Sequence, residues 1–510
     1  MEKSQLWLNY NLQTGDFYTL AFLLALVILC LVWVLGRLKL SQTTTAILIF
    51  VAIRVPFATG SLWYDEAFTA WLAELPFKNM LAATAGDVHP PLWYVIEWFW
   101  VRVFGHSDLM LRLPAVLLSG LVAWQFLRLC RRIALNERVQ WVAFTLLALL
   151  PFSVRYGGEA RMYELLLALV MGLILLIESQ PSTWNALAFG LLSAIAMLTH
   201  NLAVIYVLPF TLWFFYTRRL QAWPAIIGWA LYLPWFPFAL AQFREVDKAF
   251  WILPTTFGSA IGELHTLIFG TPSPVTLVLF PVALAALIHG VSLDTDWETL
   301  RYLLFPVVAA LSISFLASPA FIGRIMIGVL PVVVIYIAQA LVVWWDWLNR
   351  FTPLGHLGKI GLVAGLVWVL VATPQRIDWA TPLSTVPVKA GDTCYHMSPT
   401  SIILARRYVP QCHHIMWPHA SNLEQHLTDA TKAAMLIDMA FVEDIRTTTG
   451  NLWLWWGEGP NTTEAERAEV ARIKRLYPPV QTAKLFDLDI VEYTAWRLDS
   501  GNNRLTQETN

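Results

Sequence analysis

The chain has 510 residues, 57% of them hydrophobic and only 14% charged, with a mean hydropathy of +0.57, 26 tryptophans and a formal net charge of −1. Such a composition describes a polytopic membrane protein, and the lack of a basic face or tail excludes nucleic acid as a partner. The apolar character ends near residue 375, beyond which the sequence has the make-up of a soluble domain.

Glu2, Lys3 and Asp16 precede the first apolar run without a basic leader or a small-residue cleavage site, so a cleaved signal peptide is not expected and the first span stays. Apolar stretches near the length that crosses a bilayer fall at 17–36, 43–60, 109–130, 139–154, 162–177, 184–199, 202–217, 222–241, 273–291, 301–317, 325–348 and 360–373. The expected fold is therefore a polytopic α-helical bundle of about twelve transmembrane helices, residues 1–374, followed by a small α/β domain, residues 375–510.

If the spans alternate, Arg37, Lys39, Arg128, Arg131, Arg132, Arg138, Arg218, Arg219, Arg350 and Lys359 share one side, which the positive-inside rule assigns to the cytoplasm. The loop 61–108, the C-terminal domain and both termini then face the extracytoplasmic side of a cell membrane. Residues 90–104 are apolar but short and carry Glu97 and Arg102; if they crossed, the Arg128 cluster would end up outside. They read as an interfacial helix with Trp93, Trp98 and Trp100 at headgroup level, and Phe243 to Phe269 reads as a second such segment.

Within the 61–108 loop two acidic clusters stand out, Tyr64-Asp65-Glu66 and Asp87-Val88-His89-Pro90-Pro91. An ionised group in lipid costs roughly 3 kcal/mol even on lenient scales, so acids at a membrane face point to chemistry. An acceptor hydroxyl attacking a carbon needs a carboxylate to take its proton. Asp65 and Glu66 each have a plainer alternative as charges favoured at a helix start. Further along, Arg155-Tyr156-Gly157-Gly158-Glu159-Ala160-Arg161-Met162-Tyr163 sets two arginines, a glutamate and two tyrosines at a loop-to-helix transition, suited to gripping phosphate oxygens. The alternatives there are that Glu159 only neutralises the arginines, or that they reach for lipid headgroups. Arg54, Arg112 and Arg324 are further cations that the positive-inside pattern does not explain. His200-Asn201 reads as a turn, and His265 carries the same ambiguity.

The C-terminal domain shows strand-like segments at 392–397, 412–417, 433–437, 452–456 and 482–498, and helices at 398–408 and 463–476, an order that suggests a partly parallel sheet. No glycine-rich phosphate fingerprint accompanies it. Cys394 and Cys412 fall in neighbouring strands of a domain assigned to an oxidising compartment, which allows a disulfide. A metal site with His396, His413 and His414 lacks a recognised ligand spacing. Asn461-Thr462-Thr463 fits a glycosylation sequon, though a helix cap explains it as well.

Taken in order, Ser61-Leu-Trp-Tyr-Asp-Glu-Ala-Phe, Asp87-Val-His-Pro-Pro-Leu-Trp-Tyr, Leu111-Arg-Leu-Pro-Ala and Glu159-Ala-Arg-Met-Tyr resemble the GT-C superfamily of membrane glycosyltransferases, in the branch of protein O-mannosyltransferases and lipid A aminoarabinose transferases. The resemblance covers about 45–350 and is strongest before residue 165. It implies a polyprenyl-phosphate-linked sugar donor and transfer to a hydroxyl acceptor at the extracytoplasmic face, with inversion at the anomeric carbon. It makes Asp65 the catalytic base and Asp87 a second acid shaping the site. Glu66, His89, Arg155, Tyr156, Glu159, Arg161, Tyr163 and Arg324 are the substrate-binding candidates. Ser318-Pro-Ala-Phe-Ile-Gly-Arg324 matches the family's outer Pro-x-x-Arg turn only loosely, and the aminoarabinose transferases carry Lys where this chain has His89. A double displacement through Glu66 or Asp87 stays open, as does a divalent cation joining the carboxylates; no protein metal site is assigned. The rival reading is a transporter or lipid flippase, which should show two similar halves that this sequence lacks. A third is a non-catalytic membrane partner, for which Asp65 would be dispensable.

Overall fold

A computed structural model describes residues 40–248, 255–270, 272–294, 298–316, 321–351, 355–356, 358, 361, 378–419, 428–445, 450–458, 464–488 and 491–499. The expected span 17–36, nearly all of 360–373, residues 318–320 of the late motif, the sequon 461–463 and the domain boundary at 374/375 lie outside the described residues. The chain divides into two compact units. One comprises Met1–Thr59, Leu109–Pro237 and Ile252–Gln375; the other comprises Gly60–Asp108, Phe238–Trp251 and Arg376–Asn510. The 61–108 loop, which the sequence groups with the bundle, clusters with the C-terminal domain.

The first unit is helical. Every span expected between 43 and 348 coincides with a helix, but many are too short for a bilayer or are interrupted. Among the described residues three helices are long and apolar enough to cross a membrane: Asp108–Arg132, Pro274–Ser292 and Ile325–Leu348. Two pairs bent by 60°, Glu137–Leu149 with Pro151–Gly157 and Pro224–Tyr232 with Phe236–Arg244, bring the number among the described residues up to five, short of confirming the twelve expected for the whole chain. Proline causes the first bend: Leu150 precedes Pro151, is excluded from the helical region and sits at φ −59°, ψ 130°. Four further apolar helices, Gln42–Ala58, Tyr163–Ile177, Thr183–Thr199 and Arg301–Phe315, are shorter. At 1.5 Å per residue, a helix of about 15 residues covers only about 22 Å of the roughly 30 Å hydrocarbon core.

Small residues let these helices approach closely, the usual way to gain packing energy where lipid and side chain are equally apolar. A Cβ on Gly190 would lie 2.0 Å from the Ala225 carbonyl oxygen, and one on Gly290 would lie 1.9 Å from that of Tyr336. Tyr163–Ile177 is buried on nearly every side, as its uniformly apolar sequence requires. Buried Arg112 donates from Nη1 to the Ala58 carbonyl at 3.1 Å, tying the end of the second expected span to the start of the third.

The second unit holds three helices of the acidic loop, Tyr64–Glu74, Phe77–Gly86 and Leu92–Phe104, together with a six-stranded sheet. Leu92–Phe104 is the helix expected at the interface. It buries Trp93, Tyr94 and Glu97 and exposes Phe99, Val103 and Phe104, an open apolar face of the kind a headgroup layer covers. Arg102, awkward for a membrane span, donates to the Ala73 and Leu75 carbonyls at 2.9 and 3.1 Å and so satisfies the C-terminal end of Tyr64–Glu74.

The strands are β1 (Thr393–His396), β2 (His413–Met416), β3 (Asp438–Met439), β4 (Leu452–Glu458), β5 (Pro479–Leu488) and β6 (Val491–Leu498), in the order β3-β2-β1-β4-β6-β5. The first four in that order pair in parallel, and β4-β6-β5 are antiparallel. The strand expected at 433–437 is corrected. Thr428 caps a helix at Asp429–Ala434 by accepting from the Thr431 amide at 3.1 Å, and Leu436 turns the chain with φ 58° before β3 begins. Cys394 and Cys412 form a disulfide across β1 and the start of β2.

Beside that disulfide, His396 Nε2 and His414 Nδ1 stand 2.9 Å apart, and His414 Nε2 meets the Val409 carbonyl at 3.0 Å. Burial lowers both imidazoles, His396 well below its ordinary range and His414 to about 4, with the Arg406 and His413 charges adding to the effect on His414. An unfolded chain would bind a proton on His414 below about pH 6.5 while the fold refuses it until about pH 4. Stability is thus complete above the unfolded value and falls as pH drops through this window, by on the order of 3 kcal/mol for this group. We expect an acid-induced fall in melting temperature that His414→Gln flattens, read by thermal unfolding at stepped pH. An unchanged slope in the variant would refute the assignment.

Candidate active site

The sequence candidates fall into two groups, one in each unit. In the sheet-bearing unit, Asp65 and Glu66 occupy the first turn of Tyr64–Glu74, where the helix dipole favours negative charge. Asp65 is partly exposed, whereas Glu66 is fully buried and accepts from the Trp63 amide at 3.4 Å, serving the start of its own helix. Neighbours on a helix point apart, and here that separates an accessible carboxylate from a buried one. Asp87 follows Phe77–Gly86 as its C-terminal residue, 5% exposed, and its Oδ2 lies 3.1 Å from His89 Nδ1. Gln242 holds this turn by donating to the Thr84 and His89 carbonyls at 2.7 and 3.2 Å. The contact with Asp87 engages Nδ1 and so orients the imidazole.

The cation group lies in the helical unit. Arg155 ends Pro151–Gly157 and is 44% exposed; its Nε is 3.9 Å from Oε2 of buried Glu159. Arg161 is only 2% exposed, so of the two arginines Arg155 is the open one. The rings of Tyr156 and Tyr163 meet edge to face with centroids 4.9 Å apart, and the guanidiniums of Arg155 and Arg324 lie 5.7 and 6.0 Å from those two rings respectively. Sequence-distant Arg324 thereby joins the Arg155–Tyr163 motif through an aromatic pair. Its turn is fixed on both sides: the Gly323 amide donates to Glu263 Oε2 at 2.5 Å, and Tyr206 donates to the Ile325 carbonyl at 2.7 Å.

A comparison with protein-family models finds no match, and none is found among curated protein sequences. Solved structures do match. ArnT from Cupriavidus metallidurans in the apo state is 14% identical over 89% of this chain and 98% of its own, with a TM-score of 0.54. The same protein bound to undecaprenyl phosphate gives 12% identity, 89% and 97% coverage and a TM-score of 0.52. The chain has the ArnT fold.

Within that fold several polar residues outside the motifs prove to be structural partners of the candidates. Arg54, an arginine inside an apolar span, is fully buried, donates to the Phe50 carbonyl and to Ser153 Oγ at 2.8 Å each, and lies within electrostatic reach of buried Glu164. A Cβ on Gly157 would come within 2.4 Å of Arg54 Nε, so this glycine of the arginine motif makes room for the Arg54 side chain. Arg54 was visible in the sequence as a misplaced charge; Glu164, one residue beyond the motif, gave no separate signal. Glu97 is likewise buried, with neither carboxylate oxygen hydrogen-bonded, and burial together with the Glu66 charge pushes it well above the usual carboxylate range. His200, which the sequence reads as a turn, does accept from the Leu202 amide at 3.1 Å, and its ring lies 6.2 Å from that of Tyr163. Among the described residues no three His, Cys, Asp or Glu side chains are grouped to hold a metal ion.

Proposed function

We propose that this protein is a cell-membrane glycosyltransferase that moves a sugar from a polyprenyl-phosphate donor to a hydroxyl acceptor, with the C-terminal domain on the extracytoplasmic side. The observation that supports it is the ArnT fold over 89% of the chain, in one case with undecaprenyl phosphate bound to the neighbour. The partly exposed Asp65 takes the acceptor proton as its oxygen attacks the anomeric carbon. The bond from that carbon to the phosphate oxygen breaks, its electron pair leaves with the polyprenyl phosphate, and a single displacement of this kind inverts the centre. In the helical unit Arg155 and Arg324, the accessible cations of their cluster, hold the donor phosphate and stabilise its departing charge; in the sheet-bearing unit Asp87 orients His89 as a further polar group for substrate.

The reading is tested with undecaprenyl phosphate and a panel of undecaprenyl-phosphate hexoses, pentoses and aminopentoses. The purified protein is expected to bind the phosphate and to consume at least one donor in the presence of membrane extract. Arg155→Ala and Arg324→Ala should each weaken binding of undecaprenyl phosphate by about tenfold, the worth of one charge-assisted contact. Binding that neither substitution changes would remove the arginines from the donor site. A protein that neither binds the phosphate nor consumes any donor, but moves lipid across vesicles, would favour the flippase reading.

A further inference from the structure

The segment that leads into Asp65 is held by residues more than 300 positions away in sequence, all within the sheet-bearing unit. The Leu62 amide donates to the phenol oxygen of Tyr408. That phenol in turn donates to Asp108 Oδ2 at 2.9 Å, and Arg407 beside it reaches Asp108 Oδ1 at 2.6 Å and Glu74 at 3.3 Å. From another part of the C-terminal domain, the Trp379 amide donates to Ser61 Oγ at 2.7 Å. Between these points Arg406 lies over the ring of Trp71, 4.0 Å from its centroid. The helix Tyr64–Glu74 is therefore fastened before its first turn, along its length and at its last residue, largely by one helix, Pro399–Tyr408.

We propose that Pro399–Tyr408 is a positioning element for the catalytic base, with Tyr408 as the residue that fixes, through the Leu62 amide, where Asp65 stands. This rests on the reading of Asp65 as base. The geometry favours it over simple domain adhesion. Leu62 sits three residues before Asp65, and a backbone amide held at that point sets the entry of the helix on which the carboxylate rides. The entering residues Ser61 and Leu62 are themselves buried. Burial and the neighbouring Asp108 charge keep the phenol protonated, so it donates to Asp108 while its oxygen accepts from Leu62. The role explains why a domain without a phosphate fingerprint should matter to the chemistry at all.

The test compares Tyr408→Phe with wild type in detergent, reading release of undecaprenyl phosphate from the undecaprenyl-phosphate sugar that the wild type consumes. The expected result is a kcat about 10- to 100-fold lower with the KM for donor within about twofold. The same substitution made in an Asp65→Asn background should change the residual rate little. Ser61→Ala, a smaller truncation on the same segment, should lower kcat in the same sense and carries the test if Tyr408→Phe does not accumulate. Wild-type kcat in both variants, or an unaltered loss in the Asp65→Asn background, would overturn the positioning role. If Asp65→Asn is itself fully active, the base assignment fails instead, so the two failures are distinguishable.

Discussion

Asp65→Asn should lower the rate of sugar transfer by about 10²- to 10⁴-fold, the usual worth of a general base, while binding of undecaprenyl phosphate stays close to wild type. The substitution keeps the size of the side chain and its place in the first helical turn, and it removes only the ability to accept the acceptor's proton. Glu66→Gln is the matched contrast. Glu66 is fully buried and engaged with the Trp63 amide, so its loss should appear mainly as reduced thermal stability rather than as a selective fall in kcat. Transfer from the consumed donor and the melting temperature of each variant would be measured side by side. Near-normal turnover in Asp65→Asn, with normal abundance, would sink the base assignment and revive the non-catalytic reading.

That contrast between two adjacent acids marks the limit of what the sequence could tell. The sequence reads the pair Asp65-Glu66 either as chemistry or as a helix start; the structure places both in the first turn of a helix and gives each a different environment, one carboxylate partly open and the other buried. The helix at Leu92–Phe104 was legible as a short apolar run interrupted by Glu97 and Arg102, although nothing in the pattern said that Arg102 would cap another helix. The partly parallel sheet was legible in the order of strand-like segments, and the Cys394–Cys412 bond, which the sequence only allowed, is present. Span counting was weaker. Hydropathy cannot distinguish a crossing helix from a shorter apolar one, and the break at Leu150-Pro151 depends on a backbone restriction that averaging over a window hides. Least visible of all was Tyr408, because a tyrosine in a soluble domain carries no signal until a distant amide is found against it.

The cation cluster shows the same division between what is local and what is not. Arg155, Tyr156 and Tyr163 announce themselves in one short motif, and Arg324 was only a loose match, yet the aromatic pair brings Arg324 to the same cluster. Packing then determines which of these charges is available. Arg161 and Arg54 are withdrawn into the helices, where Arg54 donates to Ser153 and feels the charge of Glu164 without bonding to it, and Arg155 carries the exposed guanidinium of the motif. Charges enclosed in an apolar bundle are costly unless paired, so the buried members support the fold and the open ones are suited to meet an anion.

The same helical packing yields the largest stability effect expected in the chain. Gly290→Ala should destabilise the protein by at least about 3 kcal/mol, the upper range for overpacking a tight core. The added Cβ would stand 1.9 Å from the Tyr336 carbonyl oxygen and 2.5 Å from its carbon, both backbone atoms that cannot rotate aside. Relief would require the helices Pro274–Ser292 and Leu330–Leu348 to separate, which also strains the Tyr336 phenol's 2.6 Å bond to Asp294 Oδ2. Gly262→Ala is the control, because its Cβ would meet nothing within 4 Å and an alanine in the interior of Phe257–Phe269 is the better helix former. Size-exclusion chromatography after heating would read both variants, with Gly290→Ala melting well below wild type and Gly262→Ala at or slightly above it. Equal melting of Gly290→Ala and wild type would mean that the two helices do not meet at this glycine, and the close-packed pairing on which this part of the bundle depends would have to be abandoned.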